Sequence, residues 1–245
     1  MPGFLNPVVS RPDRFKIQHL KNETAVDVWL VHSPRAKRLK LKVRHNGRVE
    51  LVMPRGVSIS RAQKFVEAEA HWVLETLENV EDPVFFEPGA IIPILGDDHL
   101  ICHSPNGDRP VWQEANRLHV SGRKEHLARR VRDWLKQEAR KKLLLEAELF
   151  SKKSGLKFGR VTIRDQKSRW GSCSVSGNLN FSWRLILMPE EALKYVVAHE
   201  IAHLKHMDHS PQFWRFLAEI YPEFEDPFQW MKKNAGRFHK YDATI

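Results

Sequence analysis

Residues 196–214 read VVAHEIAHLKHMDHSPQFW. Four histidines, His199, His203, His206 and His209, fall within eleven positions, and Glu200 directly follows the first. Around them Leu193, Val196, Val197, Ile201 and Leu204 recur with the period of a helix. On a helix, His199 and His203 stand one turn apart on one face, about 6 Å in rise, so both imidazoles can point at one ion. Glu200 can reach a water on that ion without binding it. This is the H-E-x-x-H arrangement of two ligands and a general base. The competing reading is a surface helix with incidental histidines, and the strong apolar period favours the metal site over it.

A zinc site that does chemistry needs a third protein ligand and one open position. His206 lies on the same helical face, but about 10 Å along a straight axis from His199, too far for three ligands to meet at one ion. His209 fits if the chain turns back after His203. Ser210-Pro211 supports that turn, because Ser at an N-cap and Pro at the first helical position start a new helix. The full spacing H-E-x-x-H-x-x-H-x-x-H puts His209 at the third-ligand offset of the metzincins, with His206 where those proteins carry Gly. The expected centre is therefore Zn2+ on His199, His203 and His209, with His206 and Glu219 as alternative third ligands. Asp208 is read either as an acceptor for a ligand histidine or as a cap of the turn. Cys173 is expected to be a small buried residue, and Trp170 and Trp214 core aromatics.

Outward from this stretch, period-two and helical patterns alternate. Leu39, Leu41 and Val43 alternate with basic residues, Asn46-Gly47 is a hairpin signal, and Val49, Leu51 and Met53 form the return strand. A helix is expected from Ser58 or Ser60 to about Val80. Strand pairs follow at 90–96 with 99–102 and within 111–122. A long helix runs from Lys124 to about Ser151, with Ser154-Gly155 behind it. VTI at 161–163 is a strand. LNFSWRLIL at 179–187 reads as another, with Leu179, Phe181, Trp183, Leu185 and Leu187 on one face and Asn180, Ser182 and Arg184 on the other. Pro189 starts the histidine-bearing helix. The composition shifts near residue 122, which suggests a strand-rich region at 1–122 and a mixed region at 123–245. The class is α+β.

The chain has 245 residues, 42% hydrophobic and 29% charged, an ordinary globular composition. No stretch approaches the roughly eighteen apolar residues of a membrane span. MPGFLNPVVSRPDRF lacks the form of a signal peptide, and Pro2 and Pro7 would break one. Cys102 and Cys173 are the only cysteines, so no disulfide framework is expected and a cytoplasmic location is. The net charge of +10 is concentrated: RAKRLKLKVR at 35–44 holds six basic groups and no acid, and residues 123–153 hold eleven basic against five acidic. Nucleic acid is a possible partner of that surface, and a merely solvated basic face is the plainer reading.

SRWGSCS (168–174), GNLNFSWRLILMP (177–189) and YVVAHEIAHLKHMDHSPQFW (195–214) together resemble the YgjP-like metallopeptidase family, as does RAKRLKLKVRHNGRVELVMPRGVS (35–58). The resemblance spans roughly Val31 to Tyr241. It implies a zincin-like catalytic domain, with the active-site helix packed on a small, mostly antiparallel sheet, similar to SprT-like and WLM metalloproteases. It also implies His199, His203 and His209 as ligands and Glu200 as the catalytic group. Ser168 to Ser174 and Asn178 to Asn180 would line the cleft, which makes Arg169, Ser172 and Asn180 the substrate-side candidates. Ile201 and Asp208 depart from the residues frequent in the family. The expected activity is zinc-assisted hydrolysis of a protein or peptide substrate, with Tyr195, Arg169, Asn180 and Tyr221 as candidate oxyanion donors. Two other functions compete. One is a nucleic-acid-binding module or a protease confined to DNA-bound proteins. The other is a structural zinc protein, which would have no use for Glu200.

Overall fold

The computed structural model describes residues 14–18, 25–44, 47–78, 82–166 and 169–241. They fall into two compact units, 1–82 and 83–245. In the first, β1 (Arg14–Gln18), β2 (Ala25–His32), β3 (Lys40–Val43) and β4 (Val49–Met53) form a sheet of order β1-β2-β4-β3. The expected alternation holds: Leu41, Val49, Leu51 and Met53 are buried while Lys40 is exposed. Asn46 lies outside the described residues; Gly47 takes the positive φ, 75°, that such a turn requires. The expected helix is two helices, α1 (Ile59–Ala68) and α2 (Ala70–Glu78), interrupted at Glu69. Ser58 caps α1 by accepting from the Arg61 N–H. The expected end at Val80 lies outside the described residues.

The second unit opens with β5 (Ile91–Ile94), β6 (Asp97–His103), β7 (Val111–Glu114) and β8 (Arg117–Val120), in the order β5-β6-β8-β7. α3 (Leu127–Ser154) follows and ends at Gly155 in the left-handed conformation. Next come β9 (Val161–Arg164), β10 (Gly171–Cys173) and β11 (Leu179–Ser182), then α4 (Glu190–Ala202), α5 (Pro211–Ile220) and α6 (Glu225–Asn234). One core joins Ile92, Ile101, Leu118 and Val120 of the first sheet to Leu127, Val131, Leu135 and Leu143 of α3 and to Leu193, Val197 and Ile201 of α4. Strands β5–β8 cannot be separated from α3 without exposing that core. The chain therefore divides after Asp82 and not at 122. The fold is α+β; among the described residues no helix is long and apolar enough to cross a membrane.

The small sheet beside α4 has the order β10-β11-β9, with β10 antiparallel and β9 parallel to the central strand. The expected strand at 179–187 ends at Ser182. Trp183–Leu187 is a 3-10 turn with every side chain buried. Ser182 turns the chain by accepting from the Arg184 N–H. Arg184, expected on the face opposite the apolar one, is only 4% exposed. It ion-pairs with Asp165, donates to the Tyr241 carbonyl and lies 4.5 Å over the Trp183 ring. The alternation misleads here because a buried arginine with partners reads like a solvent-facing one.

α4 is fixed at its start by charge. Lys142 of α3 bridges Glu146 and Glu190 at 2.9 and 2.8 Å, and Lys194 meets Glu190 at 2.8 Å. Hydrogen bonds from both lysines hold the Glu190 carboxyl below its usual range. Trp183 is fully buried behind this helix's core. Trp183→Ala is expected to cost about 3–5 kcal/mol, against at most about 0.5 kcal/mol for Leu145→Ala on the exposed face of α3. Urea unfolding of the whole chain measures both.

Candidate metal centre

α4 is buried on nearly every side, through Ala192, Leu193, Tyr195, Val196, Val197, Ala198, Ile201 and Ala202. His199 and Glu200 lie in its last turn, and His203 closes it. The His203 N–H still bonds to the His199 carbonyl at 3.2 Å. The next two amides reach only three residues back, Leu204 to Ile201 and Lys205 to Ala202, so the helix tightens and stops. Among the described residues, only Leu95 and Ala115 take a positive φ without being Gly, so His206 makes the turn without strain. Asp208 Oδ1 accepts from the Ser210 N–H at 3.4 Å, the capping role of the two expected. Ser210 is the N-cap of α5 and Pro211 its first residue.

The return of the chain brings His209 back to the α4 histidines. His199 Nε2 lies 3.2 Å from His203 Nε2 and 3.1 Å from His209 Nε2. Two nitrogens bound tetrahedrally to zinc at about 2.0–2.1 Å would stand about 3.3–3.4 Å apart, so the spacing suits one ion. Among the described residues, these three histidines are the group that could hold a metal. Their outer nitrogens and backbone are tied down. His203 Nδ1 is 3.0 Å from the His206 carbonyl, and His199 Nδ1 is 3.4 Å from the Tyr195 hydroxyl. Trp214 Nε1 donates to the His209 carbonyl. The buried Phe213 ring centres 4.7–4.9 Å from all three imidazoles. Burial, then the neighbouring imidazoles, pushes His199 down to about 3, and burial lowers His203 as well. Both are neutral at physiological pH, with a lone pair free for a cation. His209 is exposed, so the centre opens to solvent on its side.

Glu200 is 5% exposed. Burial pushes its carboxyl up to about 8, against the Cys173 backbone N–H and the Arg169 charge, which both lower it. Its Oε2 is buried without a hydrogen-bond partner. An orphaned buried carboxylate oxygen beside three converging imidazoles fits a centre completed by a cation and a water. Gly171 makes the approach possible: a Cβ there would lie 2.5 Å from Glu200 Oε1. The Cys173 thiol is raised to about 11 by burial and by Glu200, which makes it a protonated bystander.

Arg169 is exposed, and its charge acts on Glu200. Ser172 and Asn180 are paired across β10 and β11 and bonded to each other at 3.4 Å, with Asn180 also accepting from Arg164 Nε. Side chains alternate along β10, so this pair faces away from the Glu200 side that Gly171 and Cys173 occupy. Ser168 lies outside the described residues. His206 turns its ring to Phe216, and Glu219 is not part of the histidine group. Beside Glu200 opens a pocket of about 320 Å³ lined by Trp170, Gly171, Tyr195, Val196, His199, Phe228, Met231 and Lys232. Trp170 thus packs against the core, as Trp214 does, and also forms a wall of the pocket, and its ring stacks on His239. The motifs carried no sign of Phe228, Met231 or Lys232, and Phe213 stood inside one without a role assigned to it. The glycine within SRWGSCS was the available signal for Gly171.

No match is found among curated proteins. Among solved structures, the chain is similar to the metallopeptidase zymogen of Pyrococcus abyssi abylysin. Identity is 27% over 38% of this chain and 95% of that one, with a TM-score of 0.34. The sequence model of the YgjP-like metallopeptidase domain matches residues 37–234. That span holds all three histidines and Glu200, and the chain belongs to the YgjP-like metallopeptidase family.

Proposed function

We propose that the chain is a zinc-dependent peptidase in which His199, His203 and His209 hold the ion and Glu200 is the general base. The observation that carries this reading is the convergence of three Nε2 atoms beside a buried carboxylate with one unpartnered oxygen. Three imidazoles are a donor set that suits zinc. Zinc at such a site polarises a carbonyl and lowers the pKa of water from about 15.7 towards about 7.

The remaining chemistry belongs to the side chains. Glu200 Oε2 accepts a proton from the attacking water and delivers it to the leaving amine. The Cys173 N–H orients that carboxyl, and the missing side chain of Gly171 leaves room for it. Tyr195 accepts from the outer nitrogen of His199 and keeps the ring aimed inward. Its own pKa is raised by burial and by Glu200, so it stays a hydroxyl donor facing the pocket. β10 is an edge strand beside Glu200, and an extended substrate can add to it. The Ser172–Asn180 bond stiffens that strand from behind. A structural zinc site is disfavoured, because His209 leaves the centre open and His206 points elsewhere. Both cysteines are free, which suits a reducing, cytoplasmic setting.

Elemental analysis of the purified chain is expected to give one zinc, lost on His199→Ala, His203→Ala or His209→Ala and kept on His206→Ala. Loss on His206→Ala would make the site closed and defeat the enzyme reading. Glu200→Gln is expected to keep the metal and lower kcat by about 10²–10⁴-fold. Gly171→Ala should also keep the metal and an unchanged circular dichroism spectrum, yet lose most activity, because the added methyl displaces Glu200.

A further inference from the structure

We infer that the pocket beside Glu200 selects a large apolar side chain on the residue whose nitrogen leaves, and rejects a basic one there. This rests on the peptidase reading above and adds its substrate class. Hydrolysis breaks an O–H bond of water and the C–N bond, and forms a C–O bond. The proton taken by Glu200 passes to the departing nitrogen, so the residue bearing that nitrogen lies against Glu200. Glu200 is itself part of the pocket wall. The side chain that enters is therefore the one on the amine side of the scissile bond.

The walls define what fits. Trp170, Tyr195, Val196, Phe228 and Met231 present apolar surface, and about 320 Å³ is near the lower end of ligand pockets. That is room for one leucine, methionine or phenylalanine side chain, not for a folded segment. Tyr195 and Phe228 pack at a tilt of 43° with centroids 5.7 Å apart, so the aromatic wall is preassembled. Met231 is unbranched and can adapt to differently shaped occupants. Lys232 is exposed, and its ammonium lies 4.7 Å over the Phe228 ring. It is the one lysine or arginine among the lining residues. It places positive charge at the rim, where an incoming lysine or arginine would meet it.

Two measurements on the full chain test this. The first is cleavage of a peptide library by the zinc-loaded protein, with products read by mass spectrometry. Leucine, methionine and phenylalanine on the amine side should exceed glycine and lysine by about tenfold or more in kcat/KM. Met231→Ala should extend the preference to tryptophan, and Lys232→Glu should raise lysine relative to leucine. The second is saturation-transfer NMR of the metal-free protein with acetyl-leucine amide, acetyl-phenylalanine amide and acetyl-lysine amide. The first two should bind and the third should not. Cleavage with no preference at that position, or a basic one, overturns the proposal. Selective binding of the apolar amides without any cleavage keeps the pocket and overturns the peptidase reading. Neither selective binding nor cleavage overturns both.

Discussion

His199 Nε2 lies 3.2 and 3.1 Å from the Nε2 atoms of His203 and His209, and three lone pairs turned toward one point at that spacing repel one another. In the tautomer that turns all three lone pairs toward an ion, no proton lies between the rings, and burial disfavours the doubly protonated form that would supply one. The scaffold must therefore impose the geometry. α4 does so by being buried on almost every side, so that the positions of His199 and His203 are set by the core. The Phe213 ring does so from α5, touching all three imidazoles from one fully buried position. The strain of convergence is carried by a hydrophobic core of ordinary kind, and a cation is the group that relieves it.

The same logic explains Glu200. Placing a carboxyl at 5% exposure with one satisfied oxygen is costly, and the raised pKa is the measure of it. Two features limit that cost without removing it: the Cys173 amide and the Arg169 charge. Both come from the short segment around β10, where Gly171 has no side chain to obstruct the carboxyl. SRWGSCS thus acts as the second half of the site. One strand supplies an amide, an empty volume and a nearby cation, and its outer edge remains open for a substrate backbone.

Legibility in the sequence follows the range of the interaction. The placement of His199, Glu200 and His203 side by side was legible because their relation is one helical turn. The return of His209 toward His199 was legible because Ser210-Pro211 announces a new helix, and so forces a turn before it. Asp208 was ambiguous, since capping and supporting a ligand use the same acceptor, and only coordinates separate them. The 3-10 turn at 183–187 was misread because burial of Arg184 depends on Asp165 and Tyr241, which no local pattern foretells. The division after Asp82 was missed for a related reason. Strands β5–β8 differ from α3 in composition, yet bury their apolar face against it. Phe228, Met231 and Lys232 lie on a helix whose own pattern reads as amphipathic, and the pocket exists only where that helix meets α4.

The order of these dependencies has a consequence for how the centre is assembled. His199 and His203 need only α4, but His209 needs α5 seated through Phe213, and the Glu200 orientation needs β10 in register with β11. α4 in turn is pinned to α3 at Glu190 by Lys142, a contact more than forty residues apart in sequence. The site thus depends on three elements at once: α4 for His199 and His203, α5 for His209, and β10 for the Glu200 orientation. A bound cation would draw on all of them at once, and it would stabilise the folded second unit with the logarithm of its free concentration relative to its Kd. The core builds the centre, and an ion in the centre would hold the core's separate elements to a single arrangement.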